Sequence, residues 1–140
     1  MSITSVTSLP ELDLPKLRFA AGVPGFPAAR IFTIRPWGAE PTPFHVLECL
    51  EVKGLRFVAV APGVFFPDYE PRFGADVYQA LGAAGRDEVL VLVILTLHAR
   101  PEDTTANLLG PLVANVATGE AIQAVLSGSG YEAQTPIVRR

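Results

Sequence analysis

At 140 residues, with 49% apolar and only 18% charged side chains, the chain is long enough for one folded domain and too apolar for intrinsic disorder. A net charge of −3 without a basic stripe removes the electrostatic basis for direct nucleic-acid binding. The single cysteine, Cys49, excludes an internal disulfide and fits a reducing cytoplasm.

Residues 1–15 are polar and proline-interrupted, a loose arm or an edge strand, and Met1 to Leu9 has neither the basic start nor the apolar stretch of a signal peptide. Leu17 to Ala20 is a first strand, ended by the turn Gly22-Val23-Pro24-Gly25. Arg30 to Arg35 sets Ile31, Thr33 and Arg35 against Phe32 and Ile34, the alternation of a half-buried strand. After a loop over Pro36 to Pro43, Phe44 to Leu50 and Leu55 to Ala61 are two strands joined around Lys53-Gly54 as a hairpin. One helix follows: Pro71 falls in its first turn, Phe73, Val77 and Leu81 recur on one face, and Gly82 and Gly85 stop it. Val89 to Leu97 is continuously apolar and β-branched. A bilayer-spanning helix takes roughly 20 apolar residues, so this shorter run describes a strand buried on both faces, in a soluble chain. Asp103 to Leu108, Leu112 to Val116 and Glu120 to Leu126 are the last strands, the latter two joined by Ala117-Thr118-Gly119.

Twelve glycines and 13 prolines scattered along the chain punctuate short strands better than long helices. Strands in sequence with hairpin-length links make an antiparallel sheet that hides its edges by curling or closing. The expectation is a single all-β, antiparallel, barrel-like domain over residues 1–140 with one short helix.

The residues that could carry chemistry do not assemble into a site. His45 and Cys49 lie four apart in a strand pattern, a separation of roughly 13 Å that keeps a dyad from forming. His98 would add a third zinc ligand, but no carboxylate stands at a ligand spacing, and Cys49 is most simply a core residue. Ser127-Gly128-Ser129-Gly130 lacks the pattern of a nucleophile elbow and the lysine of a phosphate loop. Asp68 and Glu70 fall in a turn, where carboxylates more often serve backbone donors than general acid catalysis. No catalytic residue, metal or cofactor is assigned.

Two segments are more informative. Phe65-Phe66-Pro67-Asp68-Tyr69-Glu70 begins an aromatic cluster that continues through Phe73 and Tyr78. These rings either plug one end of a barrel or, for Phe66 and Tyr69, stand partly exposed as anchors of a protein interface. Asn107, Pro111 and Asn115 mark structural corners, the two amides meeting backbone groups within an apolar setting.

In order and spacing these segments resemble the FliW family of flagellar assembly factors. Val23-Pro24-Gly25-Phe26, Pro43-Phe44, Phe65 to Glu70, and Thr105-Ala106-Asn107-Leu108 with the proline-led strand to Val113 carry the resemblance; Gln123 and Tyr131 complete it, from about Leu17 to Ile137. Glu48-Cys49, Gly119-Glu120 and Gln134-Thr135 depart from a Gln-Ser pair, a basic residue and an Arg-His pair common in that family. Such surface changes alter partners more readily than fold. The resemblance implies a cytoplasmic, non-enzymatic protein, monomeric when free, that binds the RNA-binding translational repressor CsrA and also binds flagellin, so that flagellin level governs flagellin translation. Phe66, Asp68, Tyr69, Glu70 and Glu48 are the expected partner-binding residues. Glu48, Glu51, Asp68, Glu70 and Asp76 give a mildly acidic surface that complements a basic RNA-binding partner. The alternatives are a flagellin-only chaperone that has lost CsrA binding and a small hydrolase or metal protein.

Overall fold

Alternation of apolar residues around a closed sheet determines the architecture. The computed structural model describes residues 16–39 and 41–138; the expected arm or edge strand at residues 1–15 lies outside them. Nine strands are described: β1 Lys16–Phe19, β2 Ile31–Pro36, β3 Phe44–Cys49, β4 Arg56–Val60, β5 Val89–Thr96, β6 Thr105–Ala106, β7 Leu112–Asn115, β8 Glu120–Gln123 and β9 Thr135–Pro136. Among the described residues, β1, β2, β3, β4, β5, β7 and β8 pair in that order, and β8 returns to β1, closing a seven-stranded barrel. The closing β1–β8 contact is parallel, and the other barrel pairs are antiparallel.

Every barrel strand sends residues to one interior cluster. Leu17 and Phe19 from β1, Phe32 from β2, Leu47 and Cys49 from β3, Ala59 from β4, Leu92 from β5, Leu112 and Ala114 from β7, and Ala121 from β8 pack together. Phe32 is its aromatic centre, edge-on to Phe19 at 5.5 Å and tilted against Phe57 at 5.8 Å. Cys49 is buried there, as its size suggests.

The unbroken apolar run of β5 has a physical cause. Its even residues Leu90, Leu92 and Ile94 face the barrel interior. Its odd residues face outward under two separate covers: Val89 beneath a helix, Val93 and Leu95 beneath the corner that follows β4. From Val89 to Leu95 both faces are covered, so neither carries a polar side chain there; the exposed Thr96 ends the strand.

The helix, α1, spans Ala75–Leu81 and is shorter than the sequence suggests. Pro71 lies four residues ahead of it in non-helical chain, and Gly74 is its N-cap. Phe73 therefore joins the cluster of Leu81 and Val113 from the approach to the helix rather than from the helix itself. Gly82 ends the helix at φ 67°, where its N–H donates to the Gln79 carbonyl and the N–H of Ala83 donates to that of Tyr78. This double closure needs the left-handed conformation that glycine tolerates best.

Both expected hairpins form, with Gly54 and Gly119 at positive φ. The expected strand Asp103 to Leu108 shrinks to Thr105–Ala106, because Pro101–Asp103 makes a 3-10 turn and the chain bends over residues 108–110. The short β9, which extends the sheet beyond β6, has no periodicity in the sequence that announces it.

Candidate functional site

The corner after β4 is built from the inside outward. Pro62–Val64 forms a 3-10 turn, the Phe66 N–H donates to the Pro62 carbonyl, and the Tyr69 N–H donates to that of Phe66. These bonds fold the Phe-Phe-Pro-Asp-Tyr-Glu segment into a tight knuckle. Phe66 is driven inward: it is 7% exposed and packs with Val60, Val93, Leu95, Ala106 and Leu108. The expectation of an exposed Phe66 anchor is therefore corrected. The outward face of β5 needs a lid, and Phe66 supplies its apolar surface.

Tyr69 is half-buried and also structural. Its hydroxyl donates to the Leu108 carbonyl at 2.7 Å, and its ring meets Tyr131 edge-on at 4.7 Å. The Tyr131 hydroxyl in turn accepts from the Glu70 N–H at 3.2 Å. The two tyrosines thus clasp the knuckle to the segment that leaves β6 and to the approach to β9. Burial pushes the Tyr69 phenol well above its ordinary range, with a further push from Tyr131, and it remains a neutral donor. What the knuckle presents outward is its carboxylates: Asp68 and Glu70 are exposed.

A second corner braces the first. The Asn107 Oδ1 accepts from the Gly110 N–H at 2.8 Å, and the Gln123 Nε2 donates to the Gly110 carbonyl at 2.9 Å. Gly110 is so enclosed that a Cβ there would lie 2.9 Å from the Gln123 Nε2 and 3.4 Å from the Asn107 Nδ2. Pro111 beside it is fully buried. Asn107 is partly rather than fully buried, yet it makes the corner bond expected of it. Asn115 is more deeply placed, at 3% exposure. Its Nδ2 donates to the Leu81 carbonyl and its Oδ1 accepts from the Ala117 N–H, both at 2.8 Å. It ties the end of β7 to the end of α1.

Between the knuckle, α1 and the continuation of β8 runs a groove of about 810 Å³. Asp68, Glu70, Arg72, Asp76, Val77 and Tyr131 line it together with Ile122 to Ser129. The structure brings Asp68, Glu70 and Asp76 together here. Glu48 does not line the groove; it lies on β3 as an exposed partner of Arg35 at 3.3 Å. Glu51 serves as a cap rather than as a free surface acid. Its Oε1 accepts from the N–H groups of Ile31 and Arg30 at 3.0 and 3.2 Å, and from the Cys49 thiol at 3.4 Å. The bond from Ile31 is the main reason its carboxyl lies below the ordinary value of 4.5.

The chemical candidates stay apart. His45 is buried on β3 and His98 is exposed beyond the end of β5. Among the described residues no three His, Cys, Asp or Glu side chains gather as a metal site. No described helix is long and apolar enough to cross a membrane. Sequence reasoning passed over Trp37, which is 42% exposed and packs edge-on against Phe44 at 6.0 Å. A lone tryptophan in a loop between prolines was the available signal.

Three comparisons bear on this arrangement. The model of the family described as FliW protein matches residues 5–137. A flagellar assembly factor FliW from Shouchella clausii is 34% identical over 119 residues, covering 85% of this chain and 81% of the relative. Another from Syntrophomonas wolfei is 34% identical over 140 residues, covering 98% of this chain and 88% of the relative. The crystal structure of a flagellar assembly factor FliW superposes with a TM-score of 0.83 at 30% identity, covering 94% of this chain and 92% of that one.

Proposed function

The chain belongs to the FliW family of flagellar assembly factors, and on that premise we propose that it is a cytoplasmic protein-binding regulator, monomeric when free, that captures the translational repressor CsrA and binds flagellin. In this reading it has no catalytic role. Flagellin occupies it while unexported flagellin is abundant; CsrA is then free to block flagellin translation. Export of flagellin returns the protein to CsrA. The observation that carries this reading is the acidic tip, Asp68 and Glu70, held out on a knuckle whose own rings are committed to the core. A rigid support presents charge at little cost in ordering, and negative charge suits a partner that is basic because it holds RNA.

The partner surface is assigned to Asp68 and Glu70, with Phe66 and Tyr69 acting from behind as the frame that fixes them. Glu48 is a second acidic contact outside the groove. Calorimetric titration with CsrA and with flagellin tests the reading. Saturable binding to both is expected, with CsrA affinity falling as salt rises and falling again in an Asp68→Asn/Glu70→Gln variant. Failure to bind either partner refutes the function. Binding to flagellin alone leaves the chaperone role and removes the regulatory one.

A further inference from the structure

The barrel closes between β1 and β8 over only two register positions, Arg18↔Glu120 and Phe19↔Ala121. Past Phe19 the chain turns away, the Gly22 N–H donating back to the Phe19 carbonyl at 2.9 Å. The segment after Ala121 continues without that neighbour. On its other side it stays paired beyond the end of β8: Ala124 and Leu126 donate to the carbonyls of Pro111 and Leu109 at 2.9 and 2.8 Å. Alternation of an antiparallel ladder turns the N–H and C=O groups of the intervening residues, Gln123 and Val125, the opposite way. Among the described residues no backbone group pairs with them on that side. Val125 is 60% exposed. This open length of strand and the acidic tip both line the groove.

We propose that the groove takes an extended, basic segment of a partner protein, which adds to the Gln123–Val125 edge as a further strand. Unpaired edge groups are a template for another extended backbone, whereas a helix satisfies its own backbone and would leave them unmet. Charge selects the segment. Asp68, Glu70 and Asp76 line the groove against one cation, Arg72, so lysine or arginine on the incoming strand gains and acidic residues lose. The same acids disfavour a second copy of this chain, whose own groove carboxylates would come with it. The inference rests on the protein-binding reading above for the nature of the ligand, but not on which protein supplies it.

The test uses the full chain, labelled with nitrogen-15, and a short synthetic peptide of alternating lysine and valine with blocked ends. The amide signals of Gln123 and Val125 are expected to shift on titration and to gain protection from exchange. Val125→Pro removes an outward N–H at an edge position while leaving the ladder to β7 intact. It should keep the melting temperature and weaken the peptide roughly tenfold, the worth of one or two backbone hydrogen bonds. Val125→Thr keeps the N–H and should bind as the parent does. A glutamate–valine peptide should bind at least roughly tenfold more weakly than the lysine one. Should Val125→Pro fail to fold, the exposed pair Asp68→Asn/Glu70→Gln takes its place, with loss of the salt-dependent part of the affinity expected. The proposal is overturned by no shift at these amides, by unchanged affinity in the variants, or by self-association that shifts the same amides. Parallel titrations with CsrA and flagellin separate the two readings. Peptide binding without either partner refutes only the proposed function, and partner binding that ignores Val125→Pro refutes only the edge.

Discussion

Asn115→Ala probes the tie between helix and barrel. A seven-residue helix has no independent stability, so α1 persists only through what holds its ends. Leu81 is 2% exposed and anchors the last turn, and the Leu81 carbonyl accepts from the Asn115 Nδ2 at 2.8 Å. Truncation frees two backbone groups. The N–H of exposed Ala117 turns to water at little cost, but the Leu81 carbonyl lies at a buried contact and goes unmet. The loss is about 2–3 kcal/mol, one buried unsatisfied group plus part of a hydrogen bond. Asn115→Asp is the sharper variant. It keeps an acceptor for Ala117 but sets a carboxylate against the Leu81 carbonyl, costing about 3–5 kcal/mol at neutral pH. The introduced carboxyl has its folded pKa raised above the usual ~3.9, because only its protonated form can donate to Leu81. The variant is therefore most stable, relative to the parent, below about pH 4, and loses ground as pH rises through the raised value. Urea melts at several pH values measure all three chains. An Asn115→Ala cost below about 0.5 kcal/mol, or an Asn115→Asp no worse than Asn115→Ala at pH 7, refutes this account of the tie.

Phe66→Ala should cost about 3–5 kcal/mol of stability in urea melts, since a buried ring is deleted from a closed cluster; a loss of partner affinity with the fold unchanged would restore Phe66 as an exposed anchor. Tyr69→Phe keeps the ring on Tyr131 and should cost about 1–2 kcal/mol through the stranded Leu108 carbonyl. The raised Tyr69 pKa makes its stabilisation fully present below about pH 10 and lost as pH climbs higher, so the Phe variant should show a smaller alkaline decline in melting temperature. Glu51 has a lowered pKa, held down chiefly by the Ile31 N–H, so its contribution is present above 4.5 and lost as pH falls through the lowered value; the stability gap between parent and Glu51→Gln should shrink as pH falls below 4.5 in acid titrations followed by circular dichroism. CsrA titrated into the flagellin-saturated protein should bind more weakly than into the free protein, by about 1–3 kcal/mol if the sites are separate and by full exclusion if they overlap. An unchanged affinity would remove the switch.

The barrel was legible because its strands obey period-two alternation and its hairpins carry glycine where positive φ is required. Leu17 and Phe19, Phe32, and Leu47 with Cys49 each mark the inward face from sequence alone. The closing contact was not legible. Arg18 and Glu120 lie far apart in the chain, and two register positions leave no pattern in either segment. The helix start was misplaced for a related reason. Phe73 has the right spacing to share a face with Val77 and Leu81, and it does share their cluster, but from non-helical chain. Periodicity records where side chains end up; it does not record the backbone that brings them there.

The site was harder to read than the fold because exposure in a loop depends on what the loop must cover. An aromatic pair beside proline and two acids has the composition of an interface, and the acids of the knuckle are indeed outside. Phe66 is inside because Val93 and Leu95 point out of the barrel and would otherwise meet water. Tyr69 is held back by a carbonyl from a segment nearly forty residues away, a bond that no local reading reaches. The knuckle is best understood as one object with two faces, apolar where it closes the barrel and anionic where it leaves it. Its two faces are then mechanically linked. Any displacement of Asp68 or Glu70 works against Phe66 and the tyrosine clasp, so the tip cannot yield without disturbing the core, and its charges hold their place relative to the barrel.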